Sequence, residues 1–134
     1  MLHVITNDEV KKRFAEVWHE GDTSAYDLIW VKGYGYVSFY VLDERNVYLK
    51  RVVSAGRNIT LKLPLVCTQM IRLYKCIWTV PDTEQQCKIL EKQGFKRWET
   101  YLAVGRERLT LHPLIIQQIP QYAISDLLVK QRTN

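Results

Sequence analysis

The stretch Cys87-Lys88-Ile89-Leu90-Glu91-Lys92-Gln93-Gly94-Phe95-Lys96-Arg97-Trp98-Glu99-Thr100-Tyr101 holds a helix, its stop and the opening of a strand. Gly94 stands where a helix needs a residue that turns left-handed without a Cβ penalty, so the helix closes at Gln93. Its start is marked by Asp82 or Thr83, whose side-chain oxygens can take up an otherwise unbonded N–H. Just upstream, Cys76-Ile77-Trp78-Thr79-Val80 is a short apolar run ended by Pro81, the pattern of a buried strand. Downstream, Trp98 to Val104 and Glu107 to Leu111 predict a hairpin around Gly105. Elements in this order lay a helix on the face of a sheet.

Working back from that unit, Ile59 to Lys75 carries Leu61, Leu65, Thr68, Met70, Ile71 and Leu73 at helical spacing. Pro64 is tolerated only in a first turn, which moves the predicted start to about Leu63. Before it the period changes to two. Leu28 to Val31, Tyr36 to Val41 and Val47 to Val53 are aromatic and β-branched, separated by Gly33-Tyr34-Gly35 and Asp43-Glu44-Arg45-Asn46. An antiparallel three-strand meander follows, linked onward by Ser54-Ala55-Gly56-Arg57-Asn58. At the N-terminal side, Leu2 to Ile5 reads as a strand. Thr6 and Glu9 form a capping box for a helix bearing Val10, Phe14, Val17 and Trp18 and closed by Gly21.

The predicted fold is therefore α/β, a mixed and mostly antiparallel sheet flanked by helices over residues 1–112, with a C-terminal extension over 113–134. In the extension, Pro113 and Pro120 bracket an apolar run, and Ile124, Leu127 and Leu128 read as a last helix. Leu114, Ile115, Ile116, Ile119, Ile124, Leu127 and Leu128 make this tail apolar enough that it packs either on its own domain or on a protein partner, within a larger complex.

Composition narrows the function classes. The chain is 47% hydrophobic and 25% charged, ordinary values for a globular domain. No segment reaches the roughly 18 to 20 apolar residues of a membrane span. The first residues lack the basic head and apolar core of a secretory signal, so a cytoplasmic location is expected, or a virion if the source is viral. Three cysteines, Cys67, Cys76 and Cys87, give neither an even disulfide set nor a zinc-type pair, and no metal site is expected. The net charge of +5 is spread over Lys11-Lys12-Arg13, Lys50-Arg51, Lys96-Arg97, Arg106 and Arg108 rather than gathered in one stripe. Nucleic-acid binding is accordingly not the expected role.

Glu91-Lys92-Gln93-Gly94-Phe95 and the strand after it resemble the helix of GNAT N-acetyltransferases that ends in Glu-Lys-x-Gly-Phe and leads into a closing hairpin. Ile77-Trp78-Thr79-Val80 suits the fifth strand of that family, which splays from the fourth to admit the cofactor. The element order over residues 1–111 is also similar. The resemblance implies transfer of an acyl group from acetyl-CoA to an amine, with the pyrophosphate held by a Gln/Arg-x-x-Gly-x-Gly/Ala turn after the fourth strand. The matching register here is Arg57-Asn58-Ile59-Thr60-Leu61-Lys62, which makes Arg57, Thr60 and Lys62 the candidate cofactor-binding residues. Thr60 and Lys62 stand where small residues belong, and Pro64 removes a further N–H donor.

The family often places a Tyr four residues before the Gly of Gly-Phe, as acid to the departing thiolate; Leu90 occupies that position. Tyr74 or Tyr101 could supply a hydroxyl instead, and Asp43, Glu44 or Glu99 a base, so no catalytic residue is assigned. Small GNAT-like proteins with eroded cofactor turns occur among bacteriophage virion components, and this chain is similar to them in size. The expectation is a GNAT-like structural or protein-interaction component without a working cofactor site; the alternative is an N-acetyltransferase using acetyl-CoA through an atypical pyrophosphate site.

Overall fold

The computed structural model describes residues 2–5, 27–98, 115, 119 and 121–132. They form a seven-stranded sheet: β1 (Leu2–Ile5), β2 (Asp27–Val31), β3 (Gly35–Val41), β4 (Asn46–Ser54), β5 (Cys76–Thr79), β6 (Lys96–Arg97) and β7 (Leu128–Gln131). The spatial order is β1-β2-β3-β4-β5-β7-β6. Every neighbouring pair is antiparallel except β4 and β5, which run parallel. The fold is the α/β class read from the sequence.

Among the described residues, two helices cross one face, α1 (Leu63–Leu73) and α2 (Glu84–Lys92). Pro64 sits in the first turn of α1, where its missing N–H costs nothing, and a 3₁₀ turn over Ile59–Lys62 precedes it. The cap of α2 falls on Thr83. Its Oγ1 accepts the Gln86 N–H at 3.1 Å, and Gln86 Oε1 reaches back to the Asp82 N–H at 3.0 Å. Gly94, at φ +93°, ends the helix.

Alternation along the strands sorts the core into two faces. Ile29, Val37, Phe39, Leu49, Ile77 and Leu128 point toward the helices and pack with Leu63, Val66, Met70, Leu90 and Phe95. Tyr48, Trp78 and Val129 point the other way, against Trp98, Ile115, Ile119 and Leu127. Each such side chain adds about 1.5–3 kcal/mol when fully buried. The Trp78 indole, wholly enclosed, donates its N–H to Asn46 Oδ1 at 2.9 Å.

Two expectations need correction. The last helix proposed over Ile124 to Leu128 is instead a 3₁₀ helix over Gln121–Asp126 followed by β7. The reason is the edge of β5. Its backbone groups need a partner, and Leu128–Gln131 pairs with Cys76–Thr79 while also pairing with β6. Of the strand expected from Trp98 to Val104, Trp98 alone is described and is not part of a strand; its backbone N–H donates to Leu127 O at 2.9 Å, just after the short strand Lys96–Arg97. The hairpin around Gly105 and the helix from Thr6 to Gly21 lie outside the described residues.

Of the extension, Ile115 is 0% exposed, Ile119 7%, Leu127 0% and Leu128 1%, all within this chain's own core, and Ile124 packs half-buried against it. Leu114 and Ile116 lie outside the described residues. Of the two surfaces expected to receive the tail, the domain itself takes these five. Among the described residues no helix is long and apolar enough to cross a membrane.

Candidate functional site

β4 changes character at its middle. Asn46 to Leu49 is flanked by β5, in register Asn46↔Cys76 to Leu49↔Thr79. Beyond that, β5 and its pairing end at Thr79, while β4 continues to Ser54 against β3. At that point sits a β-bulge: Leu49 faces Phe39 and Arg51 faces Ser38, leaving Lys50 as the extra residue. A bulge disrupts the ladder locally. Here two buried hydroxyls from the flanking strands bond the backbone on either side. The Thr79 hydroxyl donates to Leu49 O at 3.0 Å, and Ser38 Oγ accepts the Arg51 N–H at 3.1 Å. Both side chains are buried polar groups with a partner, as burial requires.

β4 then leads into the turn that carries the candidate cofactor residues. Its N–H groups are bonded within the chain: Ile59 N–H to Ser54 Oγ at 3.0 Å, Thr60 N–H to Asn58 Oδ1 at 3.1 Å and Leu61 N–H to Asn58 O at 3.2 Å. The Leu63 N–H bonds Thr60 O, and Pro64 has none to give. Two more donors tie the turn to the β2–β3 connection, Ala55 N–H to Tyr34 O at 2.7 Å and Arg57 N–H to Gly33 O at 3.0 Å. The approach is close enough that a Cβ on Gly56 would lie 2.7 Å from Gly33 O, and one on Gly35 would run into Val53 O.

The three cofactor candidates do not act as one group. Thr60 is 6% exposed and turned into the body of the protein. Arg57 and Lys62 come together over the ring of Tyr34, with the guanidinium carbon 5.9 Å and Nζ 5.0 Å from its centroid. The hydrogen-bonding influence of the Arg57 guanidinium, the largest, holds the Tyr34 phenol below its usual range; burial opposes it, and the charges of Lys62 and Arg57 add to the lowering. Sequence reading took Gly33-Tyr34-Gly35 for a turn only. The position of Tyr34 beside Arg57 follows from the Gly35↔Ser54 register, which no local pattern reveals.

Among the catalytic candidates, one has a clear structural occupation. Asp43 holds the β3–β4 turn, its carboxylate accepting the N–H groups of Arg45 at 2.7 Å and Asn46 at 2.8 Å. Leu90 is 3% exposed in the core, and burial raises the pKa of Tyr74. Glu44 is exposed at the same turn as Asp43. Tyr101 and Glu99 lie outside the described residues. Burial pushes the Cys67 thiol up to about 12 and raises that of Cys76, so neither is a thiolate at neutral pH.

A separate open cleft of about 330 Å³ lies at the start of α2, between that helix and the β6 and β7 ends. Asp82, Thr83, Glu84, Cys87, Arg97 and Asp126 line it. The Cys87 thiol donates to Glu91 Oε1 at 3.3 Å, and burial together with that carboxylate keeps it protonated. Among the described residues no group of three His, Cys, Asp or Glu side chains is arranged to hold a metal ion.

No protein-family model matches this chain, and no curated protein matches it either.

Proposed function

We propose that this chain is a GNAT-like domain that does not turn over acyl-CoA and serves as a structural or protein-interaction component. The observation that carries the reading is the turn after β4. A pyrophosphate cradle needs successive N–H groups unbonded and aimed outward. Here Ile59, Thr60, Leu61 and Leu63 use theirs inside the chain, and Pro64 has none. Opening the turn would break the Ser54 and Asn58 side-chain bonds without replacing them. Leu90, buried where the resemblance places a proton donor, supplies nothing to a departing thiolate. The likeness to small phage virion proteins makes assembly into a larger particle the setting proposed for such a component.

One observation favours the second reading, an N-acetyltransferase using acetyl-CoA. β4 runs on past the end of its β5 pairing, and a pantetheine arm would enter a gap of that kind. Arg57 and Lys62 would then meet the phosphates through their side chains. Calorimetric titration of the full chain with acetyl-CoA, at low and at moderate salt, separates the two. The expected result is no saturable heat, or weak heat lost as salt rises. Saturable micromolar binding that survives moderate salt would overturn the non-catalytic reading and call for an acceptor screen.

A further inference from the structure

The outer face of α1 is apolar and carries no negative charge. Leu61, Leu65, Gln69 and Leu73 recur every four residues along the 3₁₀ turn and the helix, the spacing of a ridge that packs into a groove. Leu61 is 62% exposed and Leu73 69%, and Leu65 is exposed with them, while Leu63, Val66 and Met70 hold the inner face in the core. Exposed leucines gathered on one helix mark an interaction surface. From Arg45 to Pro81 the sequence contains no Asp or Glu. Positive charge gathers at the last turn of α1. Arg72 is exposed there and Lys75 follows. Arg132, just after β7, donates its N–H to Lys75 O at 2.7 Å and its guanidinium to Arg72 O at 3.3 Å.

The complementary surface lies on the same chain. The open cleft at the start of α2 sets Asp82, Glu84 and Asp126 against one guanidinium, that of Arg97, with Pro81 and Leu128 as its apolar wall. Glu84 and Asp126 are exposed, and Lys88 meets Glu84 only at 3.8 Å, a surface pair of the weak kind. At about 330 Å³ the cleft is at the small end for a ligand pocket, a size that suits the side chains of a partner.

We infer that the outer face of α1 docks on the α2 cleft of a second copy of this chain, Arg72 reaching the cleft carboxylates and Leu73 its apolar wall. Two different patches that meet between copies make a head-to-tail contact, which extends into a ring or a filament. Packing α1 against α1 would instead set Arg72 and Lys75 against their own kind, a like-charge contact that disfavours that pairing. The inference rests on the reading of the chain as an assembly component and names its partner. The charged end of the contact is the C-terminal end of α1, the opposite end from the turn after β4.

The test is sedimentation velocity of the full chain at rising concentration. Its mean mass should climb past that of a dimer and fall back as salt is added. Arg72→Glu and Asp126→Lys, both at exposed positions and checked for folding by circular dichroism, should each weaken association about tenfold or more. The milder Arg72→Gln and Asp126→Asn should show smaller losses in the same direction. An equimolar mixture of Arg72→Glu with Asp126→Lys should associate again, because the intact cleft of the first meets the intact α1 face of the second. A chain that stays monomeric throughout would overturn the contact, as would a mixture that stays apart. A dimer that grows no further and ignores Asp126→Lys would mean that α1 meets α1, and would overturn it too. Acetyl-CoA binding is read in its own titration, so a monomer that gives no acetyl-CoA heat removes this contact and leaves the non-catalytic reading standing.

Discussion

The two halves of β4 are one strand in two environments. Asn46 to Leu49 lies between β3 and β5, with Val47, Tyr48 and Leu49 buried and side chains filling both faces. After Lys50, the strand has β3 on one side, its residues are less enclosed, and it ends in an exposed turn carrying two cations. The first half holds the sheet together; the second positions groups at its surface. The bulge that separates them bends the strand where β5 ends. Buried packing and surface exposure are thus divided along a single strand, and substitutions in the two halves should differ in kind.

The largest effect belongs to the buried side. Deleting residues 127–132 removes β7, which covers β5, together with Leu127, so that Leu127, Leu128 and Val129 are all lost from the two cores. The loss is on the order of 5 kcal/mol or more, comparable to the whole stability of a small domain. The truncated chain should therefore show no cooperative thermal transition by circular dichroism; a soluble, folded product would mean β7 is an accessory. A middle effect is expected at the bulge. Ser38→Ala removes the acceptor of the Arg51 N–H and should cost about 1–3 kcal/mol in chemical denaturation. A cost near zero would mean the bulge is not held by that hydroxyl. The smallest effect is predicted beyond it. Arg57→Gln, at an exposed turn, should move stability by no more than about 0.5 kcal/mol. A larger loss there would erase the division between the halves.

Much of the meander was legible because its signals are local. Period-two runs separated by Gly33-Tyr34-Gly35 and Asp43 to Asn46 placed β2, β3 and β4 within a residue or two of their ends. Pro64 located the start of α1, and Thr83 and Gly94 bounded α2. β7 was misread because Ile124, Leu127 and Leu128 fit a helical stripe; what makes Leu128–Gln131 a strand is the open edge of β5, far away in sequence. The candidate site was half legible. Arg57 and Lys62 were picked out by their place after the fourth strand, but their meeting over Tyr34 depends on strand register. The internal bonding of the turn depends on Ser54 and Asn58 side chains that composition treats only as loop residues.

The position of β7 sets a schedule as well as a structure. On a growing chain β5 is made well before the strand that covers it, with roughly fifty residues to be added between them, a wait of about 2.5–10 s at ordinary synthesis rates. Through that interval Cys76-Ile77-Trp78-Thr79 presents an apolar edge with unpaired backbone groups, a template for pairing with a neighbouring chain. β6, already synthesised, cannot reach its place until β7 slots in between. Completion of this sheet is therefore a late, long-range event, and the vulnerable period for aggregation during expression falls between those two strands.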